Sequence, residues 1–267
     1  DFRVNSLPSR YGEKICLRLL DSQSTQLGLD KLISNPTTLD LVRTLGSKPF
    51  GMILVTGPTG SGKSTTLYSL LAERNEPGIN ISTVEDPIEY TLPGITQCQV
   101  NRDKGFDFST ALRAFMRQDP DVLLVGETRD QETAKTAIEA ALTGHLVLTT
   151  LHCNDAPSAI ARLDEMGVEP FMVSASLLGI VSQRLLRRVC GDCRIPYHPD
   201  AHELGRFGLI TSNEGDVTFF KAKHHEGPGP PCPSCQGTGY KGRIGVYEVL
   251  RMNEALAAAV AKGATTD

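Results

Sequence analysis

The chain has 267 residues, enough for one sizeable core and a smaller companion. Its formal net charge of −4, from 27 basic and 31 acidic residues, supplies no global field that would draw it to nucleic acid or to an anionic membrane. No run reaches the ~18–20 uninterrupted apolar residues of a bilayer crossing, and no charged-then-apolar leader opens the chain, so the expectation is a cytoplasmic protein without direct membrane insertion.

Residues 13–20, EKICLRLL, alternate apolar and polar side chains as a half-buried strand does. With the preceding FRVNSLPSRYG they predict two strands joined by a Pro/Gly turn, closing a sheet whose other strands lie upstream. The chain opens at Asp1 without methionine, and the expectation is a fragment of a longer polypeptide. The polar, turn-rich DSQSTQLGLDKLISNPTTLD reads as a linker. Residues 1–34 are therefore assigned to the end of a smaller N-terminal domain plus linker, and residues 35–267 to the main domain.

From residue 51 the β-branched runs GMILVTG, NISTVEDP, DVLLVGE and HLVLTTLH alternate with the helix-like stretches GKSTTLYSLLAERN, DFSTALRAFMRQ and DQETAKTAIEAALTG. Near-continuous apolar strands between helices predict an α/β fold with a mostly parallel sheet covered on both faces. Ligands bind such sheets beyond the C-terminal ends of the strands. DAPSAIARLDEMG and PFMVSASLLGIVSQRLLRRV read as two further helices. The section 190–245 lacks periodicity and is rich in Gly, Pro, His and Cys, so something other than apolar burial must hold it.

The segment GPTGSGKST, Gly57, Pro58, Thr59, Gly60, Ser61, Gly62, Lys63, Ser64 and Thr65, follows a predicted strand directly and opens a predicted helix. That is the context a phosphate-binding P-loop requires; a glycine-rich turn is the alternative. Its backbone N–H groups would wrap a β-phosphate of ATP, Lys63 would reach the β- and γ-phosphates, and Ser64 would ligate Mg²⁺. Asp121 precedes the strand DVLLVGE and Glu127 ends it, in the manner of a Walker B segment, while Glu85, Asp86 and Glu89 follow another strand. Glu85 and Glu127 are the candidates for polarising an attacking water, and the sequence does not rank them. His145 and His152 bracket LVLTTL; with Thr149, Thr150 and Asn154 beside it, this segment is a candidate γ-phosphate sensor, set against ordinary structural histidines.

Seven cysteines, an odd number, argue against a closed disulfide framework. Cys16, Cys98 and Cys153 stand singly and read as small buried hydrophobes. Cys190-x₂-Cys193 and Cys232-x₂-Cys235 offer the four thiolates of a tetrahedral structural Zn²⁺ site, closing a subdomain of about 187–245; a redox dithiol and four unliganded thiols remain as alternatives.

GPTGSGKSTTLY, VEDPIEY, DPDVLLVGETRD, TGHLVLTTLHCNDA and GTGYKGRIGVYE together resemble the ATPases that power type II secretion and type IV pilus assembly. The resemblance spans nearly the whole chain and implies a RecA-like domain behind a smaller α/β N-terminal one, working as a homo-hexamer. It also implies that Arg3, Arg10 and Arg18 match the arginines that reach the nucleotide, with Arg3 and Arg18 the favoured charge-neutralising fingers. Cys153 stands where that family usually has threonine, which shifts weight onto His152 or Thr150. The four cysteines mark the family's assembly and secretion branches and are missing from the retraction motors. The implied work is ATP hydrolysis that drives an inner-membrane platform protein from its cytoplasmic face, building a pilus or, alternatively, a type II pseudopilus. Two other classes share the P-loop: a nucleic-acid translocase and a small-molecule kinase. The acidic balance and low aromatic content speak against the first, even with the basic cluster Arg184, Arg187 and Arg188, and no segment offers an acceptor pocket for the second.

Overall fold

The computed structural model describes residues 2–19, 27–206, 208, 217–226 and 229–263. Strands β1 (Phe2–Ser9) and β2 (Gly12–Leu19) form an antiparallel hairpin around the Arg10–Tyr11 turn. Helices α1 (Leu29–Leu32) and α2 (Pro36–Gly46) follow. Within the expected linker stretch 21–40, residues 21–26 lie outside the described residues, and these two helices occupy much of the rest. Asn35 caps α2 by accepting from the Thr38 N–H with Pro36 in the first turn, and Leu29, Ile33, Val42 and Leu45 are buried in one cluster with Ile53 and Val55.

The four β-branched runs are strands β3 (Gly51–Thr56), β4 (Ile81–Glu85), β6 (Val122–Val125) and β7 (Leu146–Leu151), with the short β5 (Thr96–Gln99) between β4 and β6 in the chain. Between them run α3 (Lys63–Arg74), α4 (Phe108–Phe115) and α5 (Gln131–Leu142). Then come α6 (Pro157–Glu165), α7 (Pro170–Ser176), β8 (Leu177–Val189), β11 (Tyr240–Arg251) and α9 (Glu254–Ala261), with β9, α8 and β10 lying between β8 and β11. The seven-stranded sheet has the order β11-β8-β3-β7-β6-β4-β5, and every pairing from β8 to β5 is parallel. Side chains alternate between its faces: Met52 and Leu54 join the cluster of α4, α5, α6 and α7, while Ile53 and Val55 join that of α2 and α3. This is why the central strands read as near-continuous apolar runs and not as alternating ones.

The helix expected over 170–189 is only partly there: seven residues are helical and the rest is β8. LLGIVSQ is buried along nearly its whole length beside β3, and Gly179 permits a close approach, since a Cβ there would lie 2.7 Å from the Leu250 carbonyl and 2.8 Å from Leu45. Apolar spacing alone does not separate a buried helix from a strand buried on both faces.

The chain divides into two compact units, Asp1–Arg184 with Gly245–Asp267, and Leu185–Ile244. In the second, β9 (Ile195–Tyr197) pairs antiparallel with β10 (Phe219–Lys221), and α8 (Ala201–Arg206) lies between them in sequence. Its buried apolar residues among those described are few, Leu204, Cys190 and Cys235. Stacked contacts supplement them: Tyr197 meets Phe219 edge-on at 5.9 Å, Arg194 lies 3.7 Å from the Phe220 ring, and Arg187 lies 4.1 Å from that of Tyr240.

Candidate active site

The loop 57–62 leaves β3 and enters α3 with Gly57 at φ +141° and Gly62 at φ +90°. Gly57 passes so close to β8 that a Cβ would lie 2.3 Å from the Gln183 carbonyl and 2.6 Å from Ser61 Oγ. Gly62 is the N-cap of α3 in the left-handed region, with no side-chain cap and no acid in the first turn. The first-turn N–H groups are thus left without a side-chain acceptor, and together with the helix dipole they form a cradle suited to an anion. Lys63 Nζ donates to the Gly57 carbonyl at 2.8 Å and to that of Pro58 at 3.1 Å, which lays the ammonium over the mouth of the loop. Loss of hydration draws its pKa below the ordinary lysine value, opposed by the charge of Glu127. Ser64 is exposed on the same turn. Underneath, Gln183 Nε2 donates to the Ser61 carbonyl at 2.8 Å, while Gln183 Oε1 and Ser61 Oγ are buried without a partner among the described residues.

β3, β7, β6 and β4 are adjacent and parallel, so the residues that follow their C-terminal ends share one edge of the sheet. Glu127, two residues past β6, pairs with Arg129 at 2.7 Å; its side chain is 14% exposed. Glu85 ends β4 and is 4% exposed. Its Oε2 accepts from the Tyr68 hydroxyl, and its Oε1 accepts from Thr83 Oγ1 at 2.7 Å and from Gln97 Nε2 at 3.2 Å. Asp86 pairs with Arg102 at 3.0 Å, and the Glu89 N–H donates to the Tyr68 hydroxyl at 3.3 Å.

The ends of the β7 strand separate its two histidines. His145 lies before β7, where Nδ1 meets the Ala140 carbonyl at 2.9 Å, a structural contact at the far edge of the sheet. His152 lies just past β7, its pKa lowered by loss of hydration and then by Lys63, against the pull of Glu127. Thr150 Oγ1 donates to the Gly126 carbonyl at 2.7 Å and Thr149 Oγ1 meets Thr128 Oγ1 at 2.8 Å, fastening β7 to the loop that carries Glu127. The Asn154 carbonyl accepts from Arg184 at 3.1 Å. Cys153 packs against the core with Sγ 3.8 Å from the Ser158 carbonyl. Asp121 lies at the opposite end of β6, where Oδ2 accepts from the Asn80 N–H at 2.7 Å, so it anchors strands and does not face the phosphate loop.

Arg3 and Arg18 are Cα partners across the β1–β2 hairpin, and their side chains lie outside the described residues. Arg10, in the turn, lies 5.8 Å from the Tyr11 ring.

In the second unit, the sulfurs of Cys190, Cys193, Cys232 and Cys235 all lie within 4.8 Å of one another. Zn–S bonds of about 2.3 Å in a tetrahedron put sulfurs about 3.8 Å apart, and Cys193 and Cys235 stand at 3.6 Å. The Gly239 N–H donates to Cys235 Sγ at 3.3 Å, and Gln236, Gly237 and Gly239 all take positive φ in the turn that follows. Burial acts to raise the Cys235 pKa, but the Gly239 N–H and the neighbouring thiols outweigh it and draw the group down to about 7. The donor set fits a structural four-thiolate metal site with no open position.

Tyr68, Thr83, Gln97, Arg129 and Gln183 were not singled out from the sequence. Two of them left a trace in it: a tyrosine on the apolar face of a predicted helix, and a glutamine inside an apolar run, each bring a polar atom that needs a partner once buried.

Among relatives, the type IV pilus assembly ATPase PilB of Thermus thermophilus is 50% identical over 263 residues, 98% of this chain and 29% of that protein. The type II secretion system protein E of Pectobacterium carotovorum is 50% identical over 260 residues, 97% of this chain and 50% of that protein. The chain thus spans half or less of the length of these relatives. The crystal structure of the pilus retraction motor PilT with bound ADP matches with a TM-score of 0.70 and 33% identity, covering 98% of this chain and 63% of that one. The family described as type II/IV secretion system protein matches residues 1–267, and the chain belongs to that family.

Proposed function

We propose that this chain is the hydrolytic part of a hexameric ATPase that powers type IV pilus assembly from the cytoplasmic face of the inner membrane, acting on a platform protein there. The observation that carries the reading is the uncapped N-terminus of α3, with Lys63, Glu127 and His152 on the same edge of the sheet. Residues Gly57 to Thr65 bind the phosphates of ATP through backbone N–H groups and Lys63. Ser64 would hold Mg²⁺, which would supply charge neutralisation to the phosphates. Glu85 and Glu127, at the ends of neighbouring strands, orient the attacking water and take its proton. His152 senses the γ-phosphate, and Arg3 and Arg18 neutralise the transferring group.

The four cysteines would hold a structural Zn²⁺, which would supply the ordering that a unit with a small apolar core lacks. They also support the assembly reading over retraction, in line with the 50% identity to PilB against 33% to the retraction motor. The equal identity of the type II secretion relative supports a second reading, in which the fibre is a pseudopilus. Full-length protein with Mg-ATP should release phosphate as a six-subunit ring, measured by a phosphate-release assay and by mass in solution. A folded, zinc-loaded protein that neither hydrolyses ATP nor forms a ring overturns the proposal. Deleting the gene in its host separates the cargoes: loss of surface pili with secretion intact supports the first reading, and the reverse supports the second.

A further inference from the structure

Tyr68 lies in α3, the helix that starts at the phosphate loop, and it is 2% exposed. A phenylalanine would fill the same space; the hydroxyl is an added buried polar group that costs about 1–3 kcal/mol unless it is bonded. It is bonded twice, donating to Glu85 Oε2 and accepting from the Glu89 N–H at 3.3 Å. Its ring meets that of Tyr90 edge-on at 4.5 Å, which fixes the direction of the hydroxyl. Burial and the adjacent Glu85 push its pKa far above the ordinary phenol value, so it remains a neutral donor across the working pH range.

On the other side of Glu85, Gln97 is equally constrained. Its Oε1 accepts from the Leu92 N–H at 2.6 Å, which leaves Nε2 to donate to Glu85 Oε1 and to the Tyr90 carbonyl, both at 3.2 Å. Thr83 supplies the third donor at 2.7 Å. Both oxygens of this buried carboxylate are thereby held by side-chain donors.

We infer that Tyr68 is a positioning residue for ATP hydrolysis, tying the phosphate-loop helix directly to the Glu85 carboxylate, with Gln97 and Thr83 completing the clamp. This rests on the assignment of Glu85 to the hydrolytic site. Any shift of α3 when phosphate binds reaches Glu85 through a hydrogen bond and not through loose packing. Removing the Tyr68 hydroxyl takes the donor from Glu85 Oε2 and cuts the direct link to α3, leaving only Oε1 held, by Thr83 and Gln97.

The experiment compares full-length wild type, Tyr68→Phe, Glu85→Gln and the double variant, reading kcat and KM for ATP, ADP affinity and thermal unfolding. Tyr68→Phe is expected to lower kcat by about 10–100-fold at unchanged ADP affinity. In the Glu85→Gln background the same change is expected to add nothing. A purely structural tyrosine would lower the unfolding temperature and reduce kcat by the same factor in the wild-type and Glu85→Gln backgrounds; that result overturns the inference. So does Tyr68→Phe with wild-type kcat beside an inactive Glu85→Gln, in which case the proposed function stands. Glu85→Gln turning over like wild type removes Glu85 from the chemistry and overturns the inference together with that part of the site assignment.

Discussion

Gly57 and Gly60 lie in the same loop, both with positive φ, and differ in what surrounds them. At Gly57, φ +141°, a Cβ would lie 2.3 Å from the Gln183 carbonyl and 2.6 Å from Ser61 Oγ; at Gly60, φ +78°, it would meet nothing within 4 Å. Alanine at Gly60 carries only the backbone cost of the left-handed region, about 1–2 kcal/mol. Alanine at Gly57 carries a backbone cost of about 1–3 kcal/mol in a region close to glycine-only. It adds about 1–3 kcal/mol of overpacking, because a strand carbonyl cannot swing aside as the end of a side chain does. The expected loss is thus about 2–6 kcal/mol at Gly57. Relief comes only by lifting the loop off β8, which breaks the 2.8 Å bond from Gln183 to the Ser61 carbonyl and distorts the phosphate cradle. Urea midpoints and ADP affinity of full-length protein measure both effects. Gly57→Ala should be clearly less stable than Gly60→Ala and should bind ADP more weakly. A Gly57→Ala protein as stable as Gly60→Ala with wild-type ADP affinity would refute the idea that β8 braces the loop.

Three further outcomes are expected. Cys235→Ser should bring zinc well below one atom per chain by elemental analysis and open residues 185–244 to limited proteolysis, while the phosphate-loop unit resists; full zinc retention would count against a four-thiolate site. Arg3→Ala and Arg18→Ala should each cut phosphate release by about 10³-fold or more at nearly unchanged nucleotide affinity; unchanged turnover would retire the finger assignment. His152 has a folded-state pKa below its unfolded value of about 6.5, so its contribution to stability is intact above that pH and is lost as pH falls through the folded value. Unfolding of His152→Gln between pH 7 and 5 should therefore show a shallower pH dependence than wild type, and an identical slope would dismiss the linkage.

What could be read from the residues and what could not differ by the range of the interaction. The phosphate loop is one contiguous segment between a strand and a helix, so Gly57 to Thr65 carry their meaning in order. The cysteine pairs carry theirs in two short spacings, although only folding brings Cys193 within 3.6 Å of Cys235 across 41 intervening residues. Glu127 and His152 were legible because a parallel sheet places strand ends on one edge, and the same rule relegates Asp121 and His145 to the other edge once strand direction is known. The failures are of another kind. β8 looks helical because burial on both faces erases the period of two, and β5 was overlooked because TQCQ is polar and marks the sheet's edge. With β8 unrecognised, Gln183 had no place beneath the phosphate loop. With β5 unrecognised, Gln97 had no route to Glu85. The contacts around the loop and around Glu85 therefore come from the two strands whose local signal is weakest. A strand is specified by its neighbours in the sheet, and a helix largely by itself, so the supporting side chains become visible only when the pairing partners β3 and β4 are in place.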